Sequence, residues 1–410
     1  MFIFLLLLLL QWNTAGAQPL VDAPAAILMD GNSGQVLFEK SADLRCYPAS
    51  ITKILTALIF VENVALDQVL EVGQDVPNQI EVGSSQIYLL PGEKLTAEQL
   101  LNALLVESAN DAAVVMAEHI SGSVPAFAEI MNQRAKELGA LDSHFVNPHG
   151  LHDEQHYTTA RDMALILKEV LKHPILTEIM HRRNYVIPST GLQDTRYLWT
   201  KNKLFQTTAG VYYNENVIAS KTGYTNQAGN TLVSAAKKED LTLITVVLQC
   251  VGYMTYESTN ALFNYGFSSF SPLILLKEQQ VVESIQVGKQ TLDLVAAQTL
   301  HYAKPLSQQG DVEQQVEIPE ELDLPLDKGA QVGNVIYRIG DTEIGRTGLL
   351  AAEAVTAPFQ LGIFLRNALF FLIALLFIAY VVLRIYVMQV NRKIRKRKLA
   401  KKRRSEYAKF

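Results

Sequence analysis

Cysteine is almost missing from this chain. Cys46 and Cys250 are the only two in 410 residues. A disulfide framework is therefore excluded as the organising principle of the fold. No Cys, His and Asp cluster has zinc-ligand spacing, so no metal and no cofactor is expected. A chain this long builds its own core, and the two thiols are expected to stay free. Internal repeats are missing too. No low-complexity tract occurs apart from a basic C-terminal tail. Positive charge is scarce everywhere else. From Arg384 to the end there are twelve Lys or Arg and one acid, Glu406, a net +11. The whole chain carries −5, which leaves −16 on the rest. That acidic remainder argues against nucleic-acid binding.

Two apolar runs are present. Phe2 to Leu10 is followed by the small residues Ala15-Gly16-Ala17. It is short for a membrane span and reads as an export signal cleaved after Ala17, although no Lys or Arg precedes it. Asn367 to Leu383 is almost wholly apolar, and Arg366 and Arg384 flank it. At ~1.5 Å per residue it nearly crosses a ~30 Å hydrocarbon core. The basic residues that follow place the tail in the cytoplasm by the positive-inside rule, and they also attract lipid headgroups.

Between these runs the pattern is α+β. Ala25–Asp30 and Gln35–Glu39 flank Gly31-Asn32-Ser33-Gly34 as a β-hairpin. Pro48 opens a helix with Ser50 in its first turn and an apolar stripe of Ile51, Ile54, Leu55, Leu58 and Ile59. Thr96 and Gln99 form a capping box for a helix from Ala97 to about Ser108, and Asp111 begins a third. Leu232–Ala235 and Leu241–Leu248 read as strands paired through Lys237–Asp240. Glu257–Tyr265 reads as a helix. Beyond about Ile274, β-branched alternation and the turns at Gly329, Gly333, Gly340 and Gly345 indicate a small all-β domain. The expected division is 1–17 signal, 18–272 main domain, 273–357 β domain, 366–388 transmembrane helix and 389–410 tail.

Three short motifs carry chemistry, in a fixed order. Ser50-Ile51-Thr52-Lys53 comes first, Ser108-Ala109-Asn110 second and Lys221-Thr222-Gly223 third. S-x-x-K, S-x-N and K-T-G together mark penicillin-interacting serine enzymes. Each alone is weak: S-x-x-K arises by chance roughly once or twice in such a chain, and Ser234–Lys237 is a second copy. A second S-x-N occurs at Ser258–Asn260. The copy at Ser50 opens a helix, where residues three apart share a face. Lys53 can then take the Ser50 proton if burial or a nearby cation lowers its pKa. Lys221 can be that cation. Ser108 can relay a proton, Asn110 can donate to a substrate backbone, and Lys221 and Thr222 can bind a carboxylate. Gly223 lets a substrate strand approach. Read without further context, these residues perform acyl transfer.

The wider context resembles the serine-type D-alanyl-D-alanine carboxypeptidases, the low-molecular-mass penicillin-binding proteins. Tyr47-Pro48-Ala49-Ser50-Ile51-Thr52-Lys53, Asn147-Pro148-His149-Gly150-Leu151, His156–Asp162 and Lys221-Thr222-Gly223-Tyr224-Thr225 with Ala228-Gly229 carry the resemblance. It covers roughly Val21 to Phe270. The resemblance implies a penicillin-binding/β-lactamase-like transpeptidase fold, with an antiparallel sheet and helices. The small β domain and the C-terminal membrane helix fit the same plan. It implies removal of the terminal D-Ala from peptidoglycan stem pentapeptides through a Ser50 acyl-enzyme, and covalent binding of β-lactam antibiotics. It makes Ser50, Lys53, Ser108, Asn110 and Lys221 catalytic. Lys221, Thr222, Gly223 and Tyr224 would hold substrate, with the backbone N–H groups of Ser50 and Tyr224 as the oxyanion hole. The site would lie outside a bacterial cytoplasmic membrane. A D,D-endopeptidase cutting cross-links, or a slow penicillin-binding scaffold working through the β domain, are alternatives. A β-lactamase is disfavoured, because the E-x-x-L-N match at Glu98–Asn102 precedes S-x-N instead of following it. His149 and His156 read as structural, and Arg161-Asp162 as a loop ion pair shaping the site wall. One departure stands out. Where the family places an Arg, this chain has Tyr253-Met254-Thr255-Tyr256-Glu257, which leaves Lys201, Lys203 or Arg196 to meet a substrate carboxylate.

Overall fold

The computed structural model describes residues 18–288, 290–356 and 361–407. The expected export signal lies outside the described residues.

The sequence from Ala25 to Ser269 alternates strands and helices as follows. A hairpin of β1 (Ala25–Asp30) and β2 (Val36–Lys40) leads into α1 (Lys53–Asn63). Then come β3 (Val69–Glu71), β4 (Lys94–Thr96), α2 (Ala97–Asn102), α3 (Asn110–Ser121), α4 (Val124–Glu137), α5 (Ala160–Val170) and α6 (Pro174–His181). A second hairpin, β5 (Asn184–Ile187) and β6 (Arg196–Trp199), precedes three long strands, β7 (Val217–Thr225), β8 (Gly229–Lys238) and β9 (Leu241–Cys250). The helix α7 (Met254–Ser269) closes this part.

The main sheet is antiparallel, in the order β2-β1-β9-β8-β7. Its side chains alternate between two cores, as a period of two demands. Ala25, Ile27, Met29, Val233, Ile244 and Val246 face the core shared with α1, α3 and α5. Ala26, Leu28, Leu232, Leu243 and Val247 face the core that holds Leu262 and Phe263 of α7. The strands outrun the apolar stretches of sequence, because β8 keeps pairing through polar residues such as buried Thr231.

The remaining described strands are β10 (Phe270–Leu276), β11 (Val281–Val287), β12 (Gln290–Ala296), β13 (Leu300–Pro305), β14 (Glu313–Glu317), β15 (Gln331–Ile339) and β16 (Thr342–Ala351). β10 pairs with β13, and a five-stranded sheet has the order β11-β12-β16-β15-β14. The C-terminal helix α8 runs from Leu361 to Tyr407 and is long and apolar enough, over Phe364–Lys401, to cross a membrane. Packing divides the chain into two compact units. One runs to Gln280 and takes in Ala296–Glu317 and Asn334–Gly348. The other holds Val281–Val295, Ile318–Gly333 and the chain from Leu349 on. The catalytic motifs all lie in the first.

Candidate active site

Ser50 sits in a 3-10 turn, Ala49–Thr52, that runs straight into α1. The sequence led to an α-helical first turn here. The tighter turn has a consequence: residues three apart eclipse each other in a 3-10 geometry. Ser50 Oγ and Lys53 Nζ stand 3.0 Å apart. The turn is held from outside. Thr231 Oγ1 of β8 donates to the Pro48 carbonyl at 2.8 Å, and Gly223 of β7 lies flat against the turn. A Cβ on Gly223 would stand 2.8 Å from Ser50 N.

Lys53 is fully buried. Its Nζ donates to Asn110 Oδ1 at 2.7 Å and to the His149 carbonyl at 2.6 Å. Burial, with the charge of Lys221 second, pushes its pKa well below that of an ordinary lysine, while the charge of Asp111 opposes the shift. A neutral amine has two N–H bonds and one lone pair. When Lys53 is neutral, two carbonyl-type oxygens that can only accept take both N–H bonds, which leaves the lone pair facing Ser50 Oγ.

The second motif has unusual backbone. After α2 the chain continues as a π-helical stretch, Ala103–Glu107, in place of the expected helix through Ser108. Ser108 then adopts left-handed φ 68°, and the Ala109 N–H reaches back to the Ala103 carbonyl at 3.0 Å. A non-glycine residue held there stores strain, which is common at functional sites. α3 starts at Asn110. Asp111, buried in its first turn, accepts from the backbone N–H of Ile87, Leu89 and Ala112 at 3.0–3.2 Å. Burial raises its pKa against those bonds. It thereby pins the loop that brings Ser84 and Ser85 to the site, where the Asn110 N–H also donates to the Ser85 carbonyl at 2.8 Å.

Lys221 is buried on β7 and donates to Ser108 Oγ at 2.9 Å, which joins the second and third motifs. Burial, followed by the charge of Lys201, lowers its pKa to about 7, against a smaller opposing pull from Glu107. Ser50, Ser108, Asn110, Lys221, Thr222, Gly223 and Tyr224 all line one cleft of about 420 Å³, with Lys53 beneath its floor. Every expected site residue is thus brought to one place.

The competing copies fall elsewhere. Ser234 is buried in β8 against Ser220 Oγ at 2.7 Å, whereas Lys237 is exposed. Ser258 is on α7 and accepts from the Asp22 N–H. In the E-x-x-L-N match both Glu98 and Asn102 bond to Arg182 outside the cleft, and Asn102 is fully buried. The Arg161-Asp162 ion pair does not form. Arg161 pairs with Asp43 and Glu39, and Asp162 accepts from Ser143 Oγ and the Asp142 N–H. The motif faces away because Asp162 lies in the first turn of α5, capped by Thr159. His156 Nδ1 accepts from the Val146 N–H, so Nε2 holds the proton and meets Thr52 Oγ1 at 2.9 Å. Burial lowers its pKa to about 3. Cys46 and Cys250 are free and buried. Cys46 pairs its backbone with Thr158 and so ties the approach to Ser50 onto the 157–158 segment.

Of the three cations considered for a carboxylate, only Lys201 lines the cleft, where it pairs with Glu107 at 3.1 Å. Arg196 pairs with buried Glu93, and Lys203 stacks on Tyr253, 4.4 Å from its ring centre. Asp111, Glu107, Asn202 and the Ser84-Ser85 loop were not singled out from sequence. Asp111 was legible only as the start of a helix, and the others carry no local signal.

Comparisons with known proteins identify the family. Residues 13–251 match the family model described as D-alanyl-D-alanine carboxypeptidase. The chain belongs to that family. It is a serine-type carboxypeptidase, a hydrolase with a penicillin-binding-protein fold. Residues 270–357 match the model for the C-terminal domain of penicillin-binding protein 5. D-alanyl-D-alanine carboxypeptidase DacF of Bacillus subtilis is 32% identical over 345 residues, 81% of this chain and 85% of that one. DacC of Escherichia coli is 31% identical over 82% of this chain and 85% of its own length. The crystal structure of penicillin-binding protein 5 from Haemophilus influenzae superposes with TM-score 0.73 at 29% identity, covering 83% of this chain and 99% of that one.

Proposed function

We propose that this carboxypeptidase removes the terminal D-alanine from peptidoglycan stem pentapeptides through an acyl-enzyme on Ser50, and that β-lactams trap it at the same step. The observation that carries the reading is buried Lys53, 3.0 Å from Ser50 Oγ with its two N–H bonds already engaged. Lys53 takes the Ser50 proton as Oγ attacks the penultimate D-Ala carbonyl. The oxyanion rests on the backbone N–H groups of Ser50 and Tyr224. The C–N bond then breaks, and the leaving amine takes, through Ser108, the proton that Lys53 accepted from Ser50. Water hydrolyses the ester by the reverse proton path. Asn110 orients the substrate backbone, and Lys221 and Thr222 hold the terminal carboxylate, with Lys201 beside them.

The same reading gives the chain a main domain to residue 272, a β domain over 273–357, a span over 366–388 and a cytoplasmic tail. The catalytic unit then lies outside a bacterial cytoplasmic membrane.

Ser50→Ala tests the nucleophile. Fluorescent penicillin should label the wild-type chain and not the variant, and D-Ala release from diacetyl-Lys-D-Ala-D-Ala should fall at least about 10³-fold. Undiminished labelling of the variant would remove Ser50 from the mechanism.

A further inference from the structure

The β5–β6 hairpin has one face anchored and one face bare. Inward, Ile187 and Leu198 are buried, and Arg196 pairs with buried Glu93. Outward, the register places Asn184 opposite Trp199 and Val186 opposite Tyr197. Alternation predicts polar side chains on an outward face. Instead Val186 is 46%, Tyr197 66% and Trp199 59% exposed. Trp199 is one of two tryptophans in the chain. No core requirement places it at the surface.

This face runs into the catalytic cleft. The Trp199 N–H donates to Glu107 Oε2 at 3.2 Å, and Glu107 precedes Ser108. The next three residues, Thr200, Lys201 and Asn202, line the cleft. Lys201 and Lys221 lie on the cleft side of that boundary, and exposed Arg183 precedes Asn184 at the start of β5. The outward face itself carries no charge: two flat rings, one aliphatic side chain and one amide. Such a face suits a neutral ligand with apolar C–H faces and amide or hydroxyl edges, and it offers nothing to a phosphate or an anionic lipid.

We propose that the Tyr197–Trp199 face is a sugar-stacking platform that binds the N-acetylated amino-sugar part of the substrate while the attached peptide enters the cleft. The inference rests on the carboxypeptidase reading, since only a substrate that joins peptide to sugar needs both surfaces at once. Alternate residues on a strand start roughly 7 Å apart, so two rings on one face serve neighbouring sugar units. Binding the sugar raises the local concentration of the peptide at Ser50 and acts on KM.

The test compares a pentapeptide ending in D-Ala-D-Ala, free or linked to a β-1,4 amino-sugar disaccharide, in the full-length chain. Wild type should show the lower KM on the linked substrate. In Tyr197→Ala/Trp199→Ala, KM for the linked substrate should rise about tenfold with kcat held, while free-peptide kinetics and the penicillin acylation rate stay put. Trp199→Phe, which keeps a ring, should recover most of the loss. A second readout needs no turnover: Trp199 emission titrated with the disaccharide alone should shift, with the Trp199→Phe chain as blank. Equal KM for both substrates in wild type overturns the platform, as does a proportional loss on both in the double variant. A silent titration does the same, and so does a wild-type dimer that the double variant dissociates, which would make the face a contact between copies. Loss of D-Ala release from both substrates in wild type, with the emission shift intact, would instead fault the carboxypeptidase reading and leave the platform standing.

Discussion

Three lysines crowd one cleft, and the proposed chemistry needs them in different protonation states. Lys53 must be neutral to accept a proton, and Lys221 must be charged to hold a carboxylate. Burial works for the first and against the second, because it disfavours the charged form of both. The pH profile follows. As pH falls through the depressed pKa of Lys53, the base is protonated and activity is lost. As pH rises through about 7, the value to which Lys221 is lowered, the free enzyme loses its carboxylate anchor. The profile of kcat/KM should be a bell, with its alkaline limb set by Lys221. Lys201 sharpens the test, since its charge is the second cause of the Lys221 shift. Lys201→Gln removes that repulsion and frees Glu107, and both changes raise the Lys221 pKa. The alkaline limb should move up by a few tenths of a pH unit, a small shift because the Lys201 side chain is 77% exposed and screened. A limb that stays in place, or moves to lower pH, would show that another group sets it.

The site depends on how closely the turn carrying Ser50 approaches β7, and Gly223 sets that distance. A Cβ there would stand 2.8 Å from Ser50 N and 3.0 Å from Pro48 O, both main-chain atoms that cannot swing aside. Gly223→Ala should therefore push the strand from the turn. Penicillin acylation should slow at least about 10²-fold, with a stability cost of about 1–3 kcal/mol and an unchanged far-UV spectrum. Near-wild-type acylation would mean that the turn and the strand need not touch. This approach joins residues 173 positions apart, Ser50 and Gly223, which explains what the sequence could and could not disclose. Local rules found the first hairpin, the Thr96–Gln99 capping box and the ordered motifs, because each is written in neighbouring residues. The π-helical Ala103–Glu107 segment and left-handed Ser108 were read as plain helix, since no periodicity encodes a strained turn held by tertiary contacts. Asp111 was legible as the start of a helix. Its second task, pinning Ile87 and Leu89, depends on a loop more than twenty residues away. Arg161 and Asp162 were paired by adjacency, although neighbours at a helix start point in different directions and find other partners.

At the scale of the whole molecule, charge and apolar length are segregated. α8 has 47 residues, roughly 70 Å of helix, with no Pro or Gly after Gly362. A ~30 Å hydrocarbon core accounts for less than half of it. The remainder carries nearly all of the +11 that follows Leu383, against −16 on the rest of the chain. A basic segment next to a span resists translocation, which is the ground for the proposed orientation with the acidic catalytic unit outside. In the proposed reading α8 is a tether, and it acts on which substrates the cleft meets while the chemistry stays with the motifs of the first unit. Deleting residues 361–410 should move the protein from the membrane to the soluble fraction. Its penicillin acylation rate and its turnover of diacetyl-Lys-D-Ala-D-Ala should stay within about twofold of the full chain, because all catalytic motifs lie in the first compact unit. In cells, the same deletion should lower D-Ala release from wall-bound pentapeptide, since the enzyme is no longer held beside its substrate. A truncated chain that still sediments with membranes would assign the attachment to a different surface. One that is soluble but has lost acylation would make α8 part of the catalytic structure, not only its tether.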